Sequence, residues 1–128
     1  MRLSLFGAAL AAAGLFAAVT AIANPTPAPP SGDPVRGKAL YGACMSCHSL
    51  DDNDIGPKHR GVVGRRAGTV PGYHYSPALL SSGIVWTPGN LDRWLSGPQA
   101  FVPGVRMYFS LSDAQKRADV IAYLAQQK

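Results

Sequence analysis

Apolar residues in this 128-residue chain form one long run and then short clusters set among glycines and prolines. Residues 3–23 are almost continuously apolar and rich in alanine. Residues 24–32, NPTPAPPSG, end that run with a proline-rich linker that is extended and buries nothing. At ~3.1 Å per residue it reaches roughly 28 Å. Helix signals begin directly after it. Asp33-Pro34 puts a side-chain acceptor at an N-cap and proline at the first helical position, which predicts a helix running toward Cys44. Ser76-Pro77 repeats the signal ahead of Ala78-Leu79-Leu80, and Gly83 is available to end that helix. Thr87-Pro88 repeats it again ahead of Leu91, Trp94 and Leu95, with Gly97-Pro98 as the stop. Ser112-Asp113-Ala114-Gln115 has the spacing of a capping box. It opens a C-terminal helix whose apolar face includes Val120, Ile121 and Leu124. No stretch alternates apolar and polar residues long enough to predict a sheet. The pattern predicts an all-α single domain over residues 33–128, with short helices between irregular loops.

The apolar start has a separate role. Met1-Arg2 is a minimal positive region, and Ala21-Ile22-Ala23 is a small-residue cleavage site, so residues 1–23 read as a secretory signal peptide. The run also approaches the ~18–20 residues that span a bilayer, so an uncleaved anchor is the alternative. Cleavage after Ala23 leaves enough chain for one small domain with a limited core of its own.

Charge adds less. The chain is basic, with a formal net charge of +5, and every acid is aspartate. Asp51, Asp52 and Asp54 cluster, while Lys58, Arg60, Arg65, Arg66 and Arg106 are spread through the loops. These residues form either an ordinary solvated surface or a docking face that steers an acidic partner. An exported chain without a basic stripe argues against nucleic-acid binding.

Candidate chemistry changes the picture most. Cys44-Met45-Ser46-Cys47-His48 is the C-x-x-C-H signature of covalent haem attachment. Two thiols spaced on one helical turn reach the two vinyl groups on a porphyrin edge, and the next residue presents an imidazole to the iron. A Cys₄ zinc site needs four thiolates, and the chain has two cysteines. A thioredoxin-like dithiol needs a βαβ context. A disulfide across two residues is strained. Haem attachment takes place outside the bacterial cytoplasmic membrane, in keeping with an export signal. The glycine-rich loop from Gly56 to Gly72 needs something to fold around, and a haem edge is suitable.

His48 occupies one axial position. Candidates for the other are Met45, His59, His74 and Met107. Met45 lies inside the attachment loop and cannot easily reach the opposite face. Met107 lies about 60 residues beyond the motif, and Pro103-Gly104 favours a turn that aims its thioether inward. His59 follows so closely after the motif that it starts on the same side as His48.

From Asp33 onward the chain resembles the small cytochromes c of mitochondria and bacterial periplasms. The ordered segments that carry this resemblance are Gly56-Pro57, Gly61-Val62-Val63-Gly64-Arg65, Pro71-Gly72-Tyr73-His74-Tyr75, Gly83-Ile84-Val85-Trp86, Pro103-Gly104-Val105-Arg106-Met107-Tyr108-Phe109 and Asp119-Val120-Ile121-Ala122-Tyr123-Leu124. It implies the cytochrome c fold, wrapped around one haem c joined through Cys44 and Cys47. It implies iron ligation by His48 and Met107, with the Pro57 carbonyl accepting from the other nitrogen of His48. It implies that Arg65, Tyr75 and Trp86 surround a haem propionate, which sets His74 aside beside Tyr75. It also implies that Gly37, Tyr41 and Tyr123 form the crossing of the first and last helices. Val105, Leu79 and Trp94 depart from the threonine, asparagine and tyrosine common in the family.

The expected function is one-electron transfer. The donor is a quinol-oxidising complex or a dehydrogenase, and the acceptor is a terminal oxidase or reductase. The expected protein is a periplasmic monomer, or is tethered to the membrane if residues 1–23 remain. Alternatives are a dedicated haem subunit of one periplasmic dehydrogenase, a peroxidase if Met107 is labile, and a thiol oxidoreductase. No separate distal catalytic base supports the peroxidase.

Overall fold

The computed structural model describes Ala28 and residues 30–128. The expected signal peptide and most of the proline-rich linker lie outside the described residues. No helix among the described residues is long and apolar enough to cross a membrane.

All three Pro-led starts open helices, each capped by the residue before the proline. In α1 (Pro34–Tyr41) the Asp33 carboxylate accepts from the Val35 and Arg36 amides. In α2 (Pro77–Leu80) the Ser76 hydroxyl accepts from the Leu79 amide. In α3 (Pro88–Ser96) the Thr87 hydroxyl accepts from the Asn90 amide. Beyond α1 the chain tightens into a 3₁₀ turn, Gly42–Cys44, instead of continuing as α-helix into the cysteine motif.

Two details differ from expectation. Gly97-Pro98 ends α3 but also starts another short helix, α4 (Pro98–Phe101). The last helix, α5 (Ala114–Gln126), is capped by Asp113, whose carboxylate accepts from the Lys116 amide. Ser112 is therefore not the N-cap. A carboxylate suits the positive end of a helix better than a hydroxyl does. Gln115 reaches the Ser31 carbonyl and the Asp119 carboxylate instead of closing a capping box.

The crossing of α1 and α5 joins the first and last helices of the described residues. A Cβ on Gly37 would sit 1.9 Å from the Asp119 carbonyl oxygen, so only glycine permits this approach. Tyr41 packs on Tyr123 with ring centroids 5.2 Å apart. Asp119 is 2% exposed. Its carboxylate accepts from Arg36 Nε at 2.8 Å, Arg36 Nη2 at 2.9 Å, the Asp33 amide at 2.8 Å and Gln115 Nε2 at 2.9 Å. Arg36 first, then the Asp33 amide, holds this carboxyl well below the usual carboxylate range. A buried charge is tolerable only with such partners.

The core joins Leu91, Trp94 and Leu95 of α3 to Val120, Ile121 and Leu124 of α5. Val62, Leu79, Trp86 and Val105 complete it from the loops and α2. Among the described residues the only bridge outside helices is an isolated antiparallel pair, Arg66 with Val85. Backbone bonds beside it, Trp86 N–H to Arg65 O at 2.9 Å and Ala67 N–H to Ile84 O at 2.8 Å, pin the glycine-rich loop to the segment before α3.

Gly37→Ala is expected to lower the stability of the holoprotein by about 1–3 kcal/mol, the usual cost of overpacking. Denaturant unfolding followed by helical circular dichroism checks this. An unchanged midpoint would mean that the helices separate at no cost.

Candidate functional site

A cavity of about 550 Å³ opens between α2, α3, α5 and the loops, with mostly apolar walls. That volume lies within the range of cofactor sites. The 3₁₀ turn delivers the cysteine motif to it. The His48 amide donates to the Cys44 carbonyl at 2.9 Å, and the Cys47 amide to the same carbonyl at 3.2 Å. Cys44, Cys47 and His48 all line the cavity, whereas Met45 does not and is 62% exposed.

His48 is tightly specified. Its Nδ1 lies 2.7 Å from the Pro57 carbonyl oxygen. A carbonyl can only accept, so Nδ1 carries the proton and Nε2 keeps its lone pair. Burial lowers the His48 pKa against the opposing pull of this bond, which favours the neutral form. Gly56 leaves the room required. A Cβ there would lie 2.2 Å from His48 Cε1 and 2.6 Å from Nε2. The Gly56 amide donates to the Cys47 carbonyl at 2.7 Å, fastening this cradle to the motif.

Met107 lines the same cavity. Gly104, with φ +91, makes the turn that leads to it. Gln99 Nε2 donates to the carbonyls of Val105 at 2.5 Å and Met107 at 3.2 Å. Trp94 Nε1–H donates to the Met107 sulfur at 3.2 Å. Leu79 and Val105 present apolar walls where the resemblance leads one to expect polar groups.

Pro57, Arg65, Tyr75 and Trp86 line the cavity as well. Arg65 is half-buried, and burial lowers its pKa. Its guanidinium donates to the Lys58 and Arg60 carbonyls at 2.9 and 3.1 Å, and no carboxylate pairs with it among the described residues. The Tyr75 hydroxyl accepts from the Val70 amide at 3.2 Å, which leaves its own hydrogen available to donate. Trp86 meets Trp94 edge-on, with centroids 5.0 Å apart. These groups fit an anionic substituent on an otherwise apolar plate.

The other histidines have different surroundings. His59 stacks on His48 with centroids 3.9 Å apart and planes 20° from parallel. The Tyr41 hydroxyl lies 3.1 Å from His59 Nδ1. Burial first, then the charges of His48 and Arg65, pushes the His59 pKa down to about 3, and the ring stays neutral. His74 is exposed, and its carbonyl accepts from Arg106 at 3.0 Å. Of the loop basic residues, Arg65 turns inward and Arg60 is paired with Asp51.

Gly56, Gln99 and the Tyr41–His59 pair are parts of the site that the sequence left unread. Gly56 was visible beside Pro57, but its contact with an imidazole was not. The reach of Gln99 to Met107 leaves no local pattern. Two alternatives lose ground here. Burial pushes the Cys44 thiol up, the wrong direction for a reactive dithiol. Among the described residues no three His, Cys, Asp or Glu side chains gather to hold a metal ion, so zinc lacks a ligand set.

Known proteins share this chain's sequence and fold. The family model "Cytochrome c" matches residues 34–128. The cytochrome c2 of Rhodopila globiformis is 52% identical over 99 residues, covering 74% of this chain and 93% of that protein. Among solved structures, cytochrome cH from Methylobacterium extorquens superposes with a TM-score of 0.72 at 41% identity, covering 73% of this chain and 98% of that one. Ferricytochrome c2 from Rhodopseudomonas palustris gives 0.72 at 40% identity, covering 75% and 99%.

Gly56→Ala puts a methyl group into the volume of the His48 imidazole. The variant is expected to yield holoprotein that has lost its six-coordinate, low-spin visible spectrum. A wild-type spectrum would mean that the imidazole does not need this cradle.

Proposed function

The chain belongs to the cytochrome c family, and from that premise we propose how its residues serve a one-electron carrier. When bound, the haem c held by Cys44 and Cys47 supplies a single-electron iron couple. The ligand pair is His48 and Met107. The observation that carries this reading is the His48–Pro57 hydrogen bond, which leaves Nε2 as a lone pair in the cavity that Met107 also lines.

The roles follow from donor chemistry. Pro57 fixes the tautomer of His48 and raises its basicity. Met107 is a soft, neutral donor that favours ferrous iron. The Trp94 N–H draws electron density from the same sulfur and acts in the same direction. Arg65, Tyr75 and Trp86 receive a propionate, whose charge offsets the half-buried guanidinium. Gln99 holds the Met107 segment in one conformation, so little needs to move on electron transfer.

This arrangement supports a carrier rather than an enzyme. Leu79, Leu95 and Val105 line the same cavity as Met107, and none of them can act as a general base. The relatives matched include several cytochromes c2, and that likeness supports a free shuttle over a dedicated dehydrogenase subunit. The donor is a quinol-oxidising complex or dehydrogenase, and the acceptor is a terminal oxidase or reductase. Encounters are small and transient. They occur in the periplasm, to which residues 1–23 direct the chain. The partner meets the cavity mouth, where Ile55, Tyr108 and Phe109 are exposed beside Arg106.

Met107→Ala tests the ligand pair. It is expected to abolish the weak far-red sulfur–iron band, lower the midpoint potential and open the iron to cyanide or carbon monoxide. An unchanged band and potential would sink the assignment. Arg106→Glu tests the docking face. Electron exchange with membranes of the source organism should slow as salt rises, because exposed charges are screened beyond ~8 Å at physiological ionic strength. The variant should be slower at low salt and approach the wild type at high salt. Rates indifferent to both salt and substitution would make Arg106 an ordinary surface residue.

A further inference from the structure

His59 lines the cavity but has no task in the scheme above. Burying an imidazole costs more than burying an aliphatic side chain of similar bulk, because its nitrogens lose water. Here that cost is offset by one specific partner, the Tyr41 hydroxyl at 3.1 Å. The face of His59 lies flat on His48, 3.9 Å away and 20° from parallel. Its backbone is fixed on both sides. The His59 amide donates to the Ser49 carbonyl at 2.9 Å, and its carbonyl accepts from the Val62 amide at 2.9 Å. Tyr41 is held in turn by Tyr123 at the crossing of α1 and α5.

The hydrogen bond to Pro57 restrains one atom of the His48 ring. It does not by itself fix the plane, because a ring can tilt about a single bonded atom. A stacked neighbour restrains the plane. We propose that His59, held by Tyr41, is a positioning residue that fixes the plane of the His48 imidazole and ties it to the α1–α5 crossing. The inference rests on His48 being the iron ligand. The plane matters because imidazole π orbitals overlap the iron d orbitals in an orientation-dependent way. Groups around a ligand that set its orientation tune the metal as surely as the ligand itself.

The test is the proton NMR spectrum of the ferric holoprotein, in which the paramagnetic shifts of the four haem methyl groups report that plane. His59→Leu keeps the bulk and removes both the ring and the hydrogen bond. It is expected to alter the order or spread of the methyl shifts. His59→Phe restores a flat ring and should return the pattern toward wild type. Tyr41→Phe removes only the hydroxyl and should move the shifts in the same direction as His59→Leu, by less. Methyl patterns that match the wild type in all variants would overturn the inference, whatever the melting temperatures, and leave His59 as a packing residue. If His59→Leu yields no holoprotein, Tyr41→Phe decides by the same criterion. A wild-type spectrum without strongly shifted low-spin methyls would instead sink the assignment of His48, and this inference with it.

Discussion

The hydrogen bond from His48 Nδ1 to the Pro57 carbonyl is the contact on which the rest depends. It decides which nitrogen is free, and therefore which way the ring can bind a metal. The cysteine motif alone cannot do this. It delivers an imidazole to the right region, but either tautomer remains open until an acceptor selects one. Gly56 and Pro57 act as a unit. The glycine gives the ring space and the proline gives it a partner. The resulting donor is half-buried and preset, as the proposed ligand role requires.

The helix crossing serves the same end. Gly37 lets α1 lie against the backbone of α5, and the Asp119 carboxylate fastens Arg36, Asp33 and Gln115 to one point. These contacts join α1 to α5, whose Val120 and Leu124 line the cavity. Gln99, Trp94 and the Gly104 turn hold Met107. A domain this small has little spare core, so a covalent haem and the fold stabilise each other, much as a bound metal couples to folding. Of the departures, Leu79 and Val105 add apolar walls to the cavity, and Trp94 donates its indole N–H to the Met107 sulfur.

Much of this was legible in the sequence, for local reasons. Three helix starts announced themselves by a polar cap followed by proline, and each signal is contained in two adjacent residues. The cysteine motif fixes its own spacing. Pro103-Gly104 marked the turn ahead of Met107. What stayed unread depends on distance in the chain. Asp113 took the cap in place of Ser112, and Gln115 was drawn to Ser31, 84 residues away in sequence, and to Asp119 one turn along the same helix. Gly97-Pro98 carried two signals at once, a stop and a start, and the pattern shows only the first. His59 was legible as a histidine on the His48 side, but its stacking and its bond to Tyr41 arise from packing. Arg60, one of the loop cations, is taken up by Asp51.

The proposed ligation of the iron by His48 and Met107, which line one cavity, underlies the carrier reading. The proton NMR spectrum of the ferrous, diamagnetic holoprotein, with methionine methyls labelled, tests it most directly. Beyond Met1 the chain has two methionines, Met45 and Met107. A thioether bound to the iron sits over the porphyrin, whose ring current drives its methyl resonance far to high field. One such shifted methyl is expected, assigned to Met107, with Met45 at an ordinary position. Two methyls at ordinary positions, or a shifted resonance belonging to Met45, would contradict it.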